Sequence, residues 1–169
     1  MSADRSRWPD WLREADISDD AQITIDPDGQ VVWHGGTWGG GIWESGIWES
    51  GIWHGGFWQD GTWMGGVWEG GIWENGRWED GRWAGGCWER GTWEGGCWAG
   101  GHWANGHWKN GLWESGTWGC GIWDGGHWES GVWSDGVWRG GTWDGGTWVG
   151  GYWVYSHQPP QSREKTGNE

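Results

Sequence analysis

The sequence predicts an all-β protein in which very short strands stack as the successive coils of a solenoid. Three observations predict this fold. From Trp33 to Trp153 a Trp stands at every fifth residue, so one frame recurs 25 times without insertion. A Gly stands two places before the Trp in 24 of these frames, and a small turn-forming residue usually follows two places after it. A fixed short period is typical of stacked architectures, in which each unit buries its apolar face against its neighbours.

Residues 1–30 are predicted to form a cap over the first coil. A short helix is expected within Ser6–Ala15, because Pro9 suits a first helical turn and Asp10 suits the positive end of the helix dipole. Two strands follow, at 21–25 and 30–33, and the turn residues of Asp26–Gly29 join them as a hairpin. A cap of this kind protects the open edge of a stack from further strand pairing.

Residues 31–155 are predicted to form the solenoid. The residue before the Trp is Val, Ile or Thr in 15 of 25 frames, which favours a strand. The residue two places after it is Gly, Asn, Asp or Ser in 22 of 25 frames, which favours a corner. A helix is excluded, because Gly recurs at least every fifth residue and each costs close to 1 kcal/mol relative to Ala.

The indoles are predicted to face the interior. In a strand the Gly and the Trp of a frame point to one side, and the residues flanking the Trp point to the other. The residue after the Trp is acidic in 11 of 25 frames, so that side belongs in water. The Gly then leaves room for an indole. The predicted core is Trp33, Trp38, Trp43, Trp48, Trp53, Trp58, Trp63, Trp68, Trp73, Trp78, Trp83, Trp88, Trp93, Trp98, Trp103, Trp108, Trp113, Trp118, Trp123, Trp128, Trp133, Trp138, Trp143, Trp148 and Trp153.

Composition limits the partners and the compartment. The segment 156–169 is polar, contains Pro159 and Pro160, and is predicted to be disordered. A net charge of −14 disfavours direct contact with nucleic acid, which requires a basic face. The sequence has no run of 18 apolar residues and no apolar stretch after its first charges, so we expect neither a membrane span nor a signal peptide. With three cysteines, an odd number, the cytoplasm is the expected compartment.

The frame resembles that of the pentapeptide-repeat family, whose units carry a small residue, a large apolar residue two places later, and then polar or turn residues. Gly46-Ile47-Trp48-Glu49-Ser50 and Gly71-Ile72-Trp73-Glu74-Asn75 match it in period and phase. Family members typically have Leu or Phe where this chain has Trp, and Ala where it has Gly. The resemblance implies a right-handed quadrilateral β-helix with four units per coil. Three units per coil, or flat ten-residue hairpins, would satisfy the same period.

Four units per coil would align every fourth frame, at the inter-strand spacing of about 4.8 Å. One column of residues preceding Trp would then contain no charge and no His: Val32, Ile52, Ile72, Thr92, Leu112, Val132 and Tyr152. It is the candidate partner surface, although such a ladder would also stabilise the strands themselves. Cys87, His107 and His127, which are zinc or copper ligand types, would share another column without a fourth ligand. We therefore predict no metal and no cofactor.

The sequence predicts a non-catalytic protein. The serines of the array have no fixed His and Asp partners, and no phosphate-binding glycine loop is present. The leading hypothesis is a rigid acidic rod that binds a protein partner or a second copy of itself as a homodimer. The family resemblance implies an alternative, a DNA mimic that modulates a topoisomerase. A third hypothesis places the indoles outside as a platform for glycans or other flat ligands, because about two dozen buried indole N–H groups would each need an acceptor.

Overall fold

A computed structural model describes residues 5–154, so the predicted disordered tail at 156–169 lies outside the described residues. The chain begins with a 3-10 helix at Arg5–Arg7 and the helix α1 at Asp10–Arg13. The first strands are β1 (Asp16–Ile17), β2 (Gln22–Ile25), β3 (Val31–Gly35) and β4 (Thr37–Gly40). In the described part of the chain no helix is long and apolar enough to cross a membrane.

Each later strand consists of a Trp and the residue before it. From β5 to β27 they are Ile42–Trp43, Ile47–Trp48, Ile52–Trp53, Phe57–Trp58, Thr62–Trp63, Val67–Trp68, Ile72–Trp73, Arg77–Trp78, Arg82–Trp83, Cys87–Trp88, Thr92–Trp93, Cys97–Trp98, His102–Trp103, His107–Trp108, Leu112–Trp113, Thr117–Trp118, Ile122–Trp123, His127–Trp128, Val132–Trp133, Val137–Trp138, Thr142–Trp143, Thr147–Trp148 and Tyr152–Trp153. The all-β solenoid predicted from the sequence is therefore confirmed.

Three sheets form the walls of the solenoid, and every third strand belongs to the same wall. We call them face 1 (β4 and every third strand to β25), face 2 (β5 to β26) and face 3 (β3 to β27). Within a face the strands are parallel and in register, so that Trp68 pairs with Trp83 and Val67 with Arg82. One coil thus consists of three frames, and the array makes about eight coils.

The quadrilateral coil implied by the family resemblance is wrong, because the strands pair with those three frames away and not four. The reason lies in the size of the indole. Consecutive Trp rings meet edge to face at centroid distances of 5.5–6.0 Å, as in Trp83 with Trp88 and Trp88 with Trp93. Three rings in this arrangement fill a triangular interior, whereas a fourth wall would move them apart and leave a void.

The predicted inward orientation of the Trp side chains is confirmed. The 22 indoles from Trp33 to Trp138 are 0–1 % exposed, and the three in the last coil, Trp143, Trp148 and Trp153, are half-buried. Rings in adjacent coils of one face stack nearly parallel at 4.6–5.0 Å. Such aromatic pairs contribute about 0.5–1.5 kcal/mol each beyond the burial of area. The hypothesis of an outward Trp platform is wrong, because its ligand-stacking rings are buried.

Eight of the buried indole N–H groups donate to a backbone carbonyl at the corner of the next coil, as Trp68 Nε1 does to Gly85 O at 3.1 Å. Fourteen others have no acceptor within hydrogen-bonding geometry among the described residues. Trp33 Nε1, one of these, lies at the same kind of corner, beside Gly51. Ring stacking therefore sets the position of the indole, and the hydrogen bond follows where the geometry permits.

The glycines preceding the strands have a different role from the one predicted. All 24 of them, from Gly36 to Gly151, have positive φ, while the glycines and other residues two places after the Trp do not. A Cβ on Gly86 would lie 2.4 Å from the carbonyl oxygen of Gly71 in the preceding coil. The corner therefore depends on this Gly because of its own backbone and the backbone below it, and only secondarily because of the indole.

The N-terminal segment covers all three faces of the first coil. As predicted, β2 forms an antiparallel hairpin with β3 on face 3. An antiparallel pairing of β1 with β4, for which the sequence has no local signal, covers face 1. The helix α1 is shorter than the predicted span and lies against β5 on face 2, where the ring of Trp11 meets that of Trp43 edge to face at 5.1 Å. Three different elements thus close the N-terminal end.

Native Trp fluorescence is expected to be blue-shifted and nearly insensitive to iodide. The reason is that 22 of the 27 indoles lie in the solenoid interior at 0–1 % exposure. In strong denaturant the emission should move to the red and iodide should quench it readily. Steady-state quenching measured before and after unfolding checks the prediction, and red-shifted emission with easy quenching in the native protein would contradict it.

Candidate interaction surfaces

The seven residues of the predicted partner surface do not form one column. Its seven residues are distributed over all three faces: Ile52 and Leu112 on face 1, Ile72 and Val132 on face 2, and Val32, Thr92 and Tyr152 on face 3. Residues four frames apart lie on different walls, because one coil contains three frames. Val32, for example, pairs with Ile47.

The same register separates the candidate metal ligands. Cys87 lies on face 2, His107 on face 3 and His127 on face 1. Within residues 5–154 no group of three His, Cys, Asp or Glu side chains is placed to hold a metal ion. The column that four units per coil would have formed from these three residues therefore does not exist.

The structure instead aligns three large apolar residues on face 2. Ile42, Phe57 and Ile72 follow one another in consecutive coils and in register. Ile42 is 48 % exposed and Ile72 is 41 % exposed, with Phe57 half-buried between them. Glu44 and Glu74 stand one residue beyond the Trp in the first and third of these strands, beside the apolar side chains. We call Ile42, Phe57 and Ile72 the apolar stripe.

Face 3 carries a ladder in which opposite charges meet. Lys109 Nζ lies 2.9 Å from Glu94, and Arg139 lies 3.1 Å from Asp124, each pair joining adjacent coils. His107 also hydrogen-bonds Asp124. Exposed pairs of this kind contribute only about 0–1 kcal/mol each. Their main effect is that the acidity of this face is largely neutralised.

The pKa of Asp124 is shifted by its position in this ladder. Partial burial opposes its ionisation, but the hydrogen bonds and positive charges of His107 and Arg139 outweigh burial. The net result is a pKa below the ordinary value of an aspartate. Asp124 therefore stays a carboxylate to a lower pH than an ordinary aspartate.

Face 1 contains an unusual thiol. Cys97 Sγ donates a hydrogen bond to Glu114 Oε1 at 3.1 Å. Burial, followed by the hydrogen bond and the negative charge of Glu114, raises the pKa of Cys97 to about 11. The thiolate is the nucleophilic form of cysteine, so Cys97 is a poor nucleophile at neutral pH.

Alkylation at pH 8 should therefore distinguish Cys97 from the exposed Cys120. We expect Cys97 to react roughly 100-fold more slowly than an ordinary thiol, because so little thiolate is present. Its rate should continue to rise with pH up to about 11. Iodoacetamide labelling followed by peptide mass spectrometry gives each rate, and Glu114→Gln should accelerate Cys97 without affecting Cys120. Equal rates at the two thiols would contradict the prediction.

These features define a β-solenoid repeat protein with a tryptophan core. Comparison with protein-family models and with curated protein sequences finds no match for the chain.

Proposed function

We propose that the protein is a non-catalytic structural and interaction module, a rigid rod whose outer faces bind protein. The observation that supports this proposal most strongly is the unbroken stack of buried indoles, from Trp33 to Trp138. A continuous core with one constant cross-section resists bending. About eight coils at roughly 4.8 Å each give a rod of roughly 40 Å.

The proposed class is a pentapeptide-repeat-like solenoid with Trp at the centre of each unit and three units per coil. Period and phase support this assignment. The cytoplasm is the proposed compartment, which the three free cysteines favour. The basis for proposing no catalytic role is the sequence of the array, in which Ser, His and Asp do not recur in a fixed relation.

The apolar stripe is the proposed contact surface. Its large side chains are followed along the strands by the carboxylates of Glu44 and Glu74. A protein segment with apolar residues at its centre and basic residues at its edges would complement it. The DNA-mimic alternative is less well supported, because cations on face 3 neutralise part of the acidity that such a mimic would present.

A photo-crosslinking amino acid at position 57 tests the proposal in extracts of the native cell. Position 117 provides the matched control, since Thr117 lies in the same column of face 2, four coils further along. We expect one defined adduct from position 57 and none from position 117. An inert monomer in analytical ultracentrifugation, with no adduct from either position, would refute an interaction role.

A further inference from the structure

The last coil differs in composition from the rest of the rod. Residues 141–154 contain a single charged side chain, Asp144, although the chain carries a net charge of −14. Val149 and Val154 stand immediately after a Trp, a position that Val occupies in no other frame. Tyr152 likewise is the only Tyr that precedes a Trp in the array. At the position after Trp this coil thus carries Val twice, where most other frames carry a polar or small residue.

These apolar side chains are also unusually exposed. Val149 is 68 %, Tyr152 is 76 % and Val154 is 52 % exposed, the largest values among the large hydrophobic residues of the described chain. Inside the same coil Trp143, Trp148 and Trp153 are only half-buried. The C-terminal end of the rod therefore presents apolar surface both from its core and from its rim.

Within residues 5–154 no strand pairs with the outer edge of this coil. In each coil the carbonyls of the Gly that precedes the strand and of the Trp accept hydrogen bonds from the next coil, as Gly126 O accepts from Thr142 N at 2.9 Å. In the last coil the carbonyls of Gly141, Trp143, Gly146, Trp148, Gly151 and Trp153 accept none from residues 5–154. An unpaired edge of this kind is a template for pairing with another strand.

We propose that the C-terminal end binds the same end of a second copy, as a two-fold dimer. A two-fold axis perpendicular to the rod reverses the direction in which the partner chain circulates, so strands meet antiparallel on every face. The rod already accepts antiparallel strands at its other end, where β1 and β2 cover the first coil. The interface is isologous and closes after two copies.

Head-to-tail assembly is excluded, because β1, β2 and α1 cover the N-terminal end. Charge favours self-association of the C-terminal end, because each copy contributes only one carboxylate to the interface between two last coils. That carboxylate is Asp144, which lies 2.9 Å from His127 on its own rod. Association elsewhere along two acidic rods would bring far more like charges together.

The frame of the array does not continue after Trp153. Residues 155–169 contain no Trp that could extend the stack. Pro159 and Pro160 lack the N–H groups that the open carbonyls require. A second copy supplies three strands and three indoles at once. This inference rests on the proposed interaction role and names one surface for it.

Sedimentation equilibrium of the full chain tests the inference with a matched pair of variants. Val149→Glu places a carboxylate in the interface, whereas Ser134→Glu places it on the same face one coil earlier. We expect a dimer for the wild type and for Ser134→Glu, and a dissociation constant raised roughly 100-fold for Val149→Glu. A wild-type monomer at every concentration, or an unaffected Val149→Glu dimer, would overturn the inference.

Two further measurements identify what covers the C-terminal end, and they test the dimer separately from the proposed interaction role. Spin labels at position 154 of both protomers should lie close together in the dimer, and labels at position 7 should lie beyond the measurable range. A chain ending at residue 154 should still form the dimer. A wild-type monomer that becomes a dimer on this truncation would show that the tail covers the end, and would overturn the inference. A monomeric wild type that still gives the adduct at position 57 would leave the proposed function intact.

Discussion

Replacing Gly86 by Ala should destabilise the solenoid by roughly 3 kcal/mol or more, whereas replacing its neighbour Gly85 should cost less than about 1 kcal/mol. Gly86 has a φ of 110°, in a region that side chains rarely adopt. Its added Cβ would lie 2.4 Å from the oxygen and 3.0 Å from the nitrogen of Gly71. Backbone atoms of the adjacent coil cannot move away without breaking the ladder.

Gly85 provides the control within the same corner. Its φ is not positive, and an added Cβ would meet nothing closer than the Glu69 carbonyl oxygen at 3.6 Å, an ordinary contact. Denaturant unfolding followed by far-ultraviolet dichroism measures the free energy of unfolding of both variants. Equal losses of unfolding free energy at the two positions would contradict the prediction. They would show that the positive φ of Gly86 and its contact with Gly71 are not what the corner requires.

The glycine frame illustrates what the sequence could and could not predict about local structure. A Gly that recurs in 24 of 25 frames indicates a backbone requirement. The sequence does not show whether that requirement is positive φ, space for an indole or contact with another coil. Here the closest atom to the missing Cβ of Gly86 belongs to Gly71, one coil earlier. That contact exists only once the coil length is fixed.

The number of frames per coil also determines which outward-facing residues lie next to one another. A period of five specifies a strand and a corner. The acidic residues that follow many of the Trp residues show which side of the strand faces water. The period does not specify how many strands close a coil, because three and four walls place the same residues inside. The size of the indole decides in favour of three. Every predicted column on the outside was wrong for this one reason, while every predicted core residue from Trp33 to Trp138 is buried.

In the N-terminal cap, likewise, one element could be predicted from the sequence and another could not. The hairpin of β2 and β3 was predictable, because turn residues at Asp26–Gly29 separate two β-branched segments. The strand β1 has only two residues, Asp16 and Ile17, and its partner β4 lies beyond the whole hairpin turn. Nothing local in so short a segment indicates a strand. Its pairing arises from the open edge of face 1, which becomes apparent only in the assembled coil.

Replacing Trp88 by Ala should cost about 3–5 kcal/mol and should break the rod into two independently melting parts. Trp88 is 0 % exposed and stacks between Trp73 at 4.8 Å and Trp103 at 4.7 Å. It also meets Trp83 and Trp93 edge to face at 5.9 and 6.0 Å. Its removal deletes four ring contacts and leaves a cavity that the rigid walls cannot close.

Trp148→Ala provides the control at the end of the array. Trp148 is half-buried and, among residues 5–154, stacks on one ring, that of Trp133 at 5.0 Å. Its loss should cost about half as much as that of Trp88, because solvent already reaches the site and no closed cavity forms. Trp88→Phe, which keeps an aromatic ring, should fall between the two Ala variants.

Hydrogen exchange along the chain distinguishes a local break from global loss of stability. In a repeat array each unit contacts only its neighbours, so the coils on either side of position 88 should keep their protection while the strands around it lose theirs. Limited proteolysis should then cut between residues 85 and 95 in Trp88→Ala and not in Trp148→Ala. Uniform loss of protection in Trp88→Ala would mean that the rod unfolds as one cooperative unit. The stacked indoles would in that case couple coils well beyond nearest neighbours.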